Sequence, residues 1–201
     1  MHLLIRERHG LDEVAGVEDL DQTPADLLVL SFSDSDLTAF AAGWRQAGGA
    51  PPTLRLANPK RLEHPASVDL WIEKTARHAR GILVRLLGGL DYWRYGIDEL
   101  ARIARENKIA FAAIPGDGRE DPRLDQASNL PPSTLRRLKD LTDMGGAEAM
   151  GAALAQLALA AGLPARTLAL AGTLAWQGFL TREGAVACPL EAALAPEGRR
   201  G

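Results

Sequence analysis

The sequence predicts an α/β fold in which helices cover both faces of a mostly parallel sheet. Three observations support this class. Short apolar runs alternate with amphipathic segments along the 201 residues. The runs at residues 81–87 and 109–114 are almost continuously apolar, which is typical of strands that are buried on both faces. The segments between the runs repeat apolar residues at helical spacing, as in Leu37, Ala41 and Trp44.

Five strands are predicted, at residues 2–6, 26–32, 53–57, 81–87 and 109–114. This number matches a flavodoxin-like three-layer sandwich with a five-stranded, mostly parallel sheet in the order 2-1-3-4-5. The link between the first two strands departs from the pattern, because residues 9–24 show no convincing helical face. Either that crossover is irregular, or the two strands are not joined in the standard way.

Two more helices are predicted between the later strands. Ser67 is the expected N-cap of a helix over residues 68–79. A helix that contains Ile97 closes at Asn107 and Lys108 before the last strand.

A short helical section follows the predicted sheet. Ser133 is the expected cap of its first helix, Gly145-Gly146 interrupts it, and a second helix ends near Gly162. The chain is therefore divided into three parts: a flavodoxin-like α/β domain at residues 1–130, a helical section at 131–164, and a tail of unassigned fold at 165–201.

Composition and charge exclude several classes of partner. A net charge of −3 and a pI near 5.8 argue against a broad electrostatic contact with nucleic acid. The chain starts without a signal-peptide pattern, and no apolar run approaches the ~20 residues that span a bilayer. Cys188 is the only cysteine, so no internal disulfide forms, which fits a reducing cytoplasm. We therefore expect a cytoplasmic protein with neither nucleic-acid nor membrane partners.

In open α/β sheets, ligands bind beyond the carboxyl ends of the strands. The predicted strands place four loops there: residues 33–36, Asn58-Pro59, Gly88-Gly89 and residues 115–117. No P-loop and no G-x-G-x-x-G opens a helix, and the motifs of receivers, flavodoxins and cobalamin-binding modules are missing. ATP binding by this chain is therefore unsupported. The four histidines are scattered without metal-ligand spacing, so no metal site is predicted.

The stretch GGLDYWRY at residues 88–95 is the strongest candidate for a ligand contact. Its glycines allow a tight turn and a close approach. Its aromatic residues, Tyr92 and Trp93 among them, can stack on a flat conjugated ligand or anchor an interface. Arg94 and the nearby Arg85 can pair with carboxylates. The alternative is a βα turn in which Trp93 covers the start of the helix, and spacing alone favours it.

Two polar positions have both a structural and a functional interpretation. His64 precedes Pro65 and can reach the ligand-side rim, although loop histidines are often only rim residues. Ser33-Asp34-Ser35-Asp36 most simply caps the next helix. An enzyme that used Ser33 or Asp34 as its nucleophile needs a base partner that the sequence does not show. No catalytic residue is assigned.

Five motifs occur in a fixed order: TPAD at residues 23–26, HPASVDLW at 64–71, TARHA at 75–79, VRLLGGLDYWRYG at 84–96 and IPGD at 114–117. This series resembles the N-terminal part of the large subunit of aerobic cobaltochelatase, the CobN type, a family related to the large subunit of magnesium chelatase. The resemblance covers roughly residues 1–145. Family members are several times longer, which implies that this chain is a fragment.

The resemblance implies ATP-dependent insertion of Co²⁺ into hydrogenobyrinic acid a,c-diamide, a corrin precursor, during cobalamin biosynthesis. It also implies companion chelatase subunits, one of them an AAA+ ATPase that uses ATP and Mg²⁺, and no cofactor bound by this segment. The segment is expected to scaffold the tetrapyrrole site or to dock partners, and not to chelate cobalt alone. The alternative is a non-catalytic interaction or regulatory module. The residues expected to contact a ligand are His64, Arg85, Gly88, Gly89, Tyr92, Trp93, Arg94, Gly116 and Asp117.

Overall fold

The computed structural model describes residues 16–48 and 50–164. The strands within them are β1 (Leu27–Ser31), β2 (Leu54–Ala57), β3 (Gly81–Leu86) and β4 (Ala110–Pro115). The α-helices are α1 (Asp34–Gln46), α2 (Pro65–Lys74), α3 (Arg94–Asn107), α4 (Pro122–Ala127), α5 (Pro132–Met144) and α6 (Gly146–Ala160). The predicted strand at residues 2–6 and the tail at 165–201 lie outside the described residues.

The described strands form one parallel sheet in the order β2-β1-β3-β4. Leu27 of β1 pairs with Leu54 of β2 on one side and with Gly81 of β3 on the other. The sheet therefore has four strands within the described residues, and the predicted five-stranded order is wrong. That order required another strand between β1 and β2. The two are directly paired neighbours, so no strand fits between them.

Alternate residues of the strands point into two separate cores. Leu28 and Leu30 face the core that contains α2 and α3. Leu27 and Val29 face the core that contains α1, α5 and α6. All four side chains are fully buried, which explains why the strand shows no alternation of apolar and polar residues. The predicted parallel sheet with helices on both faces is confirmed, while the flavodoxin-like name and the boundaries after residues 130 and 164 stay predictions.

The strand order decides on which face each helix lies. The connection from β1 to β2 runs toward one side of the sheet, and the connections from β2 to β3 and from β3 to β4 run toward the other. A single crossover handedness therefore puts α1 on the face opposite α2 and α3, as observed. The neighbouring strands β1 and β3 send their connections in opposite directions. Their carboxyl ends mark the place where open α/β sheets bind ligands.

Residues 16–25, which lead into β1, contain no helix. They cross α2 instead. The amide of Glu18 donates to Ser67 Oγ at 2.8 Å, and Trp71 Nε1 donates to Gln22 Oε1 at 3.0 Å. The absence of a helix that the sequence predicted is therefore confirmed for this part of the chain.

Two predicted N-caps are wrong. Ser67 lies inside α2, and the N-cap is His64, whose Nδ1 accepts from the amide of Ala66 at 3.1 Å. Ser133 lies inside α5, which begins at Pro132. Proline suits a first helical turn because the amide groups there need no partner within the helix.

The predicted ends of α3, α5 and α6 are confirmed, whereas α2 ends at Lys74 and not at residue 79. Lys108 follows α3 in the left-handed conformation, with a φ of 56°. Gly145 separates α5 from α6 with a φ of 68°, and Gly162 follows α6 with a φ of 67°. Residues of this conformation stop a helix because the backbone can no longer continue its hydrogen-bond pattern.

The outer edge of β4 is closed by the chain that follows α4. Asn129 imitates a neighbouring strand: its Oδ1 accepts from the amide of Phe111 at 2.8 Å, and its Nδ2 donates to the carbonyl of Ile109 at 2.8 Å. Ser128 Oγ accepts from the amide of Ala113 at 2.9 Å. These bonds pair backbone N–H and C=O groups along β4 that an uncovered edge strand would leave free to bind other strands.

Helix α6 is buried on most of its surface by the sheet, α1 and α5. Its contact with α1 depends on glycine, since a Cβ atom at Gly43 would lie 2.4 Å from the carbonyl oxygen of Ala147 and 2.6 Å from the nitrogen of Gly151. The two backbones therefore leave no room for a side chain. Although α6 is strongly apolar, no helix in the described ranges is long and apolar enough to cross a membrane.

We predict that Gly43→Ala lowers the free energy of unfolding by about 2 kcal/mol, because the added methyl group overpacks the contact between α1 and α6. The higher helix propensity of alanine offsets only part of this cost. Urea unfolding followed by circular dichroism measures the change. Gly48→Ala is the matched control, since a Cβ atom there meets nothing within 4 Å. An equal effect of the two substitutions would contradict the described packing.

Candidate functional site

The four loops that follow the strands lie at one edge of the sheet and contact one another. Asn58, after β2, donates from Nδ2 to Asp34 Oδ1, after β1, at 2.8 Å. The amide of Gly88, after β3, donates to Asp117 Oδ2, after β4, at 3.1 Å. The expectation that these loops share an edge is confirmed. We call this surface the carboxyl edge, formed by residues 32–36, 58–59, 87–95 and 115–121.

Arg85 is the buried centre of this edge. It lies on β3 opposite Ser31 of β1, and its side chain is 10% exposed. Nη1 contacts Asp36 Oδ2 of α1 at 2.5 Å, and Nη2 contacts Asp143 Oδ1 of α5 at 2.9 Å. Ser31 Oγ donates to the same oxygen of Asp36, and Lys139 Nζ contacts Asp143 at 2.7 Å. Arg85 pairs with carboxylates, as its chemistry suggested, but the carboxylates belong to this chain.

Burial and hydrogen bonding shift the pKa values of this cluster in opposite directions. Desolvation lowers the pKa of Arg85, but the hydrogen bonds to Asp143 and Asp36 outweigh it and raise that pKa above its ordinary value. Desolvation raises the pKa of Asp143, yet the hydrogen bonds from Lys139 and Arg85 hold it below its usual range. The ionised forms are therefore favoured. Arg85 Nε is buried without a hydrogen-bond partner among the described residues.

The turn after β3 has a backbone that glycine adopts readily and other residues adopt at a cost. Gly88 has a φ of 86° and Gly89 a φ of 77°. The amide groups of Gly88 and Leu90 are already bound. Asp117 accepts from Gly88, and Asp121 Oδ2 accepts from the amide of Leu90 at 2.9 Å. Two carboxylates of the chain itself thus occupy donors that a ligand anion would otherwise use.

The aromatic residues of the stretch have different surroundings. Trp93 is 6% exposed, and its Nε1 donates to the carbonyl of Leu62 at 3.0 Å. Trp93 therefore covers the start of α3, which is the alternative that spacing favoured. Tyr92 is 59% exposed, and its ring meets Phe32 edge to face with the centroids 4.9 Å apart. Tyr95 is 42% exposed and donates its hydroxyl to a carboxylate of α2.

Exposed ion pairs join this stretch to the loop after β4. Asp91 contacts Arg94 at 2.5 Å and Arg123 at 2.8 Å, and Arg123 also contacts Asp121 at 2.8 Å. The hydrogen bonds from Arg123 and Arg94 hold the pKa of Asp91 below its usual range. Those from Arg123 and the amide of Leu90 lower the pKa of Asp121 in the same way. Arg94, a predicted ligand contact, thus has an internal partner but stays 53% exposed.

The remaining candidates have structural roles in the described chain. His64 caps α2. Gly116 donates its amide to the carbonyl of Leu86 at 2.6 Å. Ser33 caps α1, its Oγ accepting from the amide of Asp36 at 3.3 Å. Its side-chain hydrogen bonds within the described structure involve no base, so the hypothesis of a nucleophilic serine gains no support.

Sequence reasoning missed two carboxylates of this edge. Asp121 had a detectable signal, because an aspartate directly before Pro122 is the pattern of an N-cap, and its side chain does cap α4. Asp143 had none. It lies 58 residues from Arg85 along the chain, and only the packing of α5 on the sheet brings the two together.

A cleft of about 230 Å³ lies beside the carboxyl edge, between α4 and α5. Ile114 and Leu135 contribute apolar surface, and Glu120, Asp125 and Arg136 contribute charges of both signs. In the described parts of the chain, no group of three or more His, Cys, Asp or Glu side chains is placed to hold a metal ion.

Comparison with known proteins shows what part of the chain is similar to. No family model matches the chain. The aerobic cobaltochelatase subunit CobN of Pseudomonas aeruginosa is 42% identical over 151 residues, which cover 75% of this chain and 12% of that protein. The CobN subunit of Sinorhizobium sp is 40% identical over 152 residues, again 75% of this chain and 12% of that protein. This chain is homologous to part of a CobN subunit.

A solved structure agrees with this relationship. The catalytic subunit of cobaltochelatase from Mycobacterium tuberculosis matches with a TM-score of 0.51 and 26% sequence identity, over 66% of this chain and 10% of that chain. The resemblance to the CobN type is therefore confirmed. Because the match spans only 12% of each curated CobN relative, similarity by itself does not assign the activity of a whole CobN protein to this chain.

We predict that Arg85→Met lowers the free energy of unfolding by about 3 kcal/mol, because it leaves the largely buried Asp36 without its cation and Asp143 with Lys139 alone. Arg94→Met is the matched control. It removes an exposed ion pair and should cost about 0.5 kcal/mol. Urea unfolding at pH 7 measures both changes, and equal values would contradict the central place of Arg85.

The cost of Arg85→Met should depend on pH. The pKa of Asp143 is lower in the folded chain than in the unfolded chain, so its contribution to stability is complete above about pH 4 and is lost as the pH falls through the folded-state pKa. The difference in free energy of unfolding between wild type and Arg85→Met should therefore become smaller below about pH 4. A difference that stays constant in unfolding experiments down to about pH 3 would show that the contact is not ionic.

Proposed function

We propose that this chain is the N-terminal part of a cobaltochelatase large subunit, which takes part in ATP-dependent insertion of Co²⁺ into hydrogenobyrinic acid a,c-diamide during cobalamin biosynthesis in the cytoplasm. The observation that carries the proposal is the 42% and 40% identity to two CobN subunits over 75% of this chain. Co²⁺ and the corrin precursor are the substrates. ATP and Mg²⁺ belong to an AAA+ partner subunit, and none of them is assigned to a residue of this segment.

The segment contributes the carboxyl edge as a support for the tetrapyrrole site. Metal insertion requires a stiff macrocycle to be distorted, and contacts with the periphery of the ligand can supply the binding energy for that distortion. Tyr92 offers an exposed ring that can lie against a conjugated macrocycle. Arg94 is exposed beside it and can contact peripheral carboxylates.

A second candidate function is the docking of a companion chelatase subunit on the same edge. This function is favoured because the polar groups of the edge are already bound by residues of the same chain. Asp117 and Asp121 occupy the amides of the glycine turn, and Trp93 belongs to the core. Tyr92 then remains as an exposed aromatic side chain, a residue type that often anchors protein interfaces.

We predict that Tyr92→Ala in the full large subunit weakens binding of hydrogenobyrinic acid a,c-diamide about tenfold, because a stacking ring is lost. Quenching of tryptophan fluorescence measures the dissociation constant. Tyr95→Ala is the matched control, since Tyr95 is an exposed tyrosine whose hydroxyl is held by a carboxylate of α2.

The same variants distinguish the two candidate functions. Co-purification with the AAA+ subunit is measured in parallel. If Tyr92→Ala binds the precursor normally but no longer co-purifies with the AAA+ subunit, the edge docks a partner and does not contact the tetrapyrrole. If Tyr92→Ala matches Tyr95→Ala in both measurements, the assignment of the carboxyl edge is wrong.

A further inference from the structure

A short acidic loop lies over the glycine turn of the carboxyl edge. We call residues 116–121, between β4 and α4, the strap. Residues 117–120 are exposed and belong to neither a helix nor a strand. Gly118 has a φ of 75° and open space around it. The strap therefore has no apolar side chain buried against the turn.

The contacts that hold the strap to the turn are carboxylate–amide hydrogen bonds. Asp117 Oδ2 accepts from Gly88 at 3.1 Å, and Asp121 Oδ2 accepts from Leu90 at 2.9 Å. Among the described residues, the strap makes one further hydrogen bond to β3, from the Gly116 amide to the carbonyl of Leu86, at the point where the strap leaves β4. The strap is thus hinged at its start and fastened beyond it by charged side chains.

We propose that the strap is a displaceable lid, whose carboxylates hold the amide groups of Gly88 and Leu90 until a carboxylate of the bound tetrapyrrole replaces them. This inference rests on the proposed function and adds its regulation. The free chain keeps the turn satisfied with its own acids. The substrate, which is itself a carboxylic acid, competes for the same donors.

The chemistry of the turn supports an exchange of one carboxylate for another. The hydrogen bond from Gly88 is the main cause that lowers the pKa of Asp117, so these donors favour an ionised carboxylate. The strap and the tetrapyrrole both carry carboxylates. Each hydrogen bond that the turn loses to the strap can therefore be replaced by an equivalent bond to the tetrapyrrole. Asp121 is also paired with Arg123 and caps α4, so Asp117 is the end of the strap that opens first.

Asp117→Ala tests the lid, and Asp125→Ala is the matched control, since Asp125 is an exposed acid of the next helix that faces the cleft and not the turn. Amide hydrogen exchange is measured by NMR on the full 201-residue chain. We expect Gly88 to exchange about tenfold faster in Asp117→Ala and at the wild-type rate in Asp125→Ala. Asp117→Asn, which keeps the size and loses the charge, should give a smaller change in the same direction.

Binding of hydrogenobyrinic acid a,c-diamide is then measured on the full large subunit that carries the same substitutions. Loss of the competing carboxylate should tighten binding to Asp117→Ala about fivefold over wild type. Equal or weaker binding than wild type, or an unchanged exchange rate at Gly88, would overturn the lid. Absence of binding by all the proteins would instead overturn the proposed function, and the exchange rates would still decide whether Asp117 fastens the strap.

Discussion

A single buried guanidinium holds the carboxyl edge together. Arg85 on β3 contacts Asp36 in the first turn of α1 and Asp143 near the end of α5. A charge buried this deeply is stable only with its partners in place, because the cost of desolvation is otherwise not recovered. The contact therefore fixes where α1 begins and where α5 ends relative to the sheet. The loops after β1 and β3, which flank the centre of the edge, depend on that arrangement.

The edge satisfies most of its polar groups with its own residues. Asp117 and Asp121 bind the amides of the glycine turn, and the ion pairs of Asp91 link that turn to α4. Such a surface differs from a preformed pocket, whose donors point into open space. It suits a role in which a ligand or a partner exchanges one set of carboxylate contacts for another. Tyr92 is the more exposed of the two tyrosines in this arrangement.

Much of the fold could be predicted because buried parallel strands are continuous apolar runs. Residues 81–87 and 109–114 became β3 and β4 with small shifts in their ends. The sheet order was wrong because residues 2–6 have a strand-like pattern, and pattern alone does not say which strands pair. The shared edge of the four loops followed directly from parallel strands. Periodicity cannot reveal a contact such as that of Arg85 with Asp143, which arises from packing.

In the stretch GGLDYWRY, the turn could also be predicted from the sequence, but the burial of the aromatic residues could not. Positive φ angles at Gly88 and Gly89 agree with the turn that paired glycines predict. Whether an aromatic residue faces the core or the solvent depends on the neighbours that fold against it. Trp93 donates to the carbonyl of Leu62, whereas the ring of Tyr92 meets the ring of Phe32 and remains exposed. The sequence identified the stretch, and tertiary structure decided which of its aromatic residues are exposed.

The central claim is that the carboxyl edge is the functional surface of this segment. Hydrogen–deuterium exchange of the assembled chelatase, with and without hydrogenobyrinic acid a,c-diamide, tests it most directly. We expect the precursor to change exchange at residues 88–95 and 115–121. Changes confined to residues 75–80 and 107–110, at the opposite ends of β3 and β4, would contradict the account.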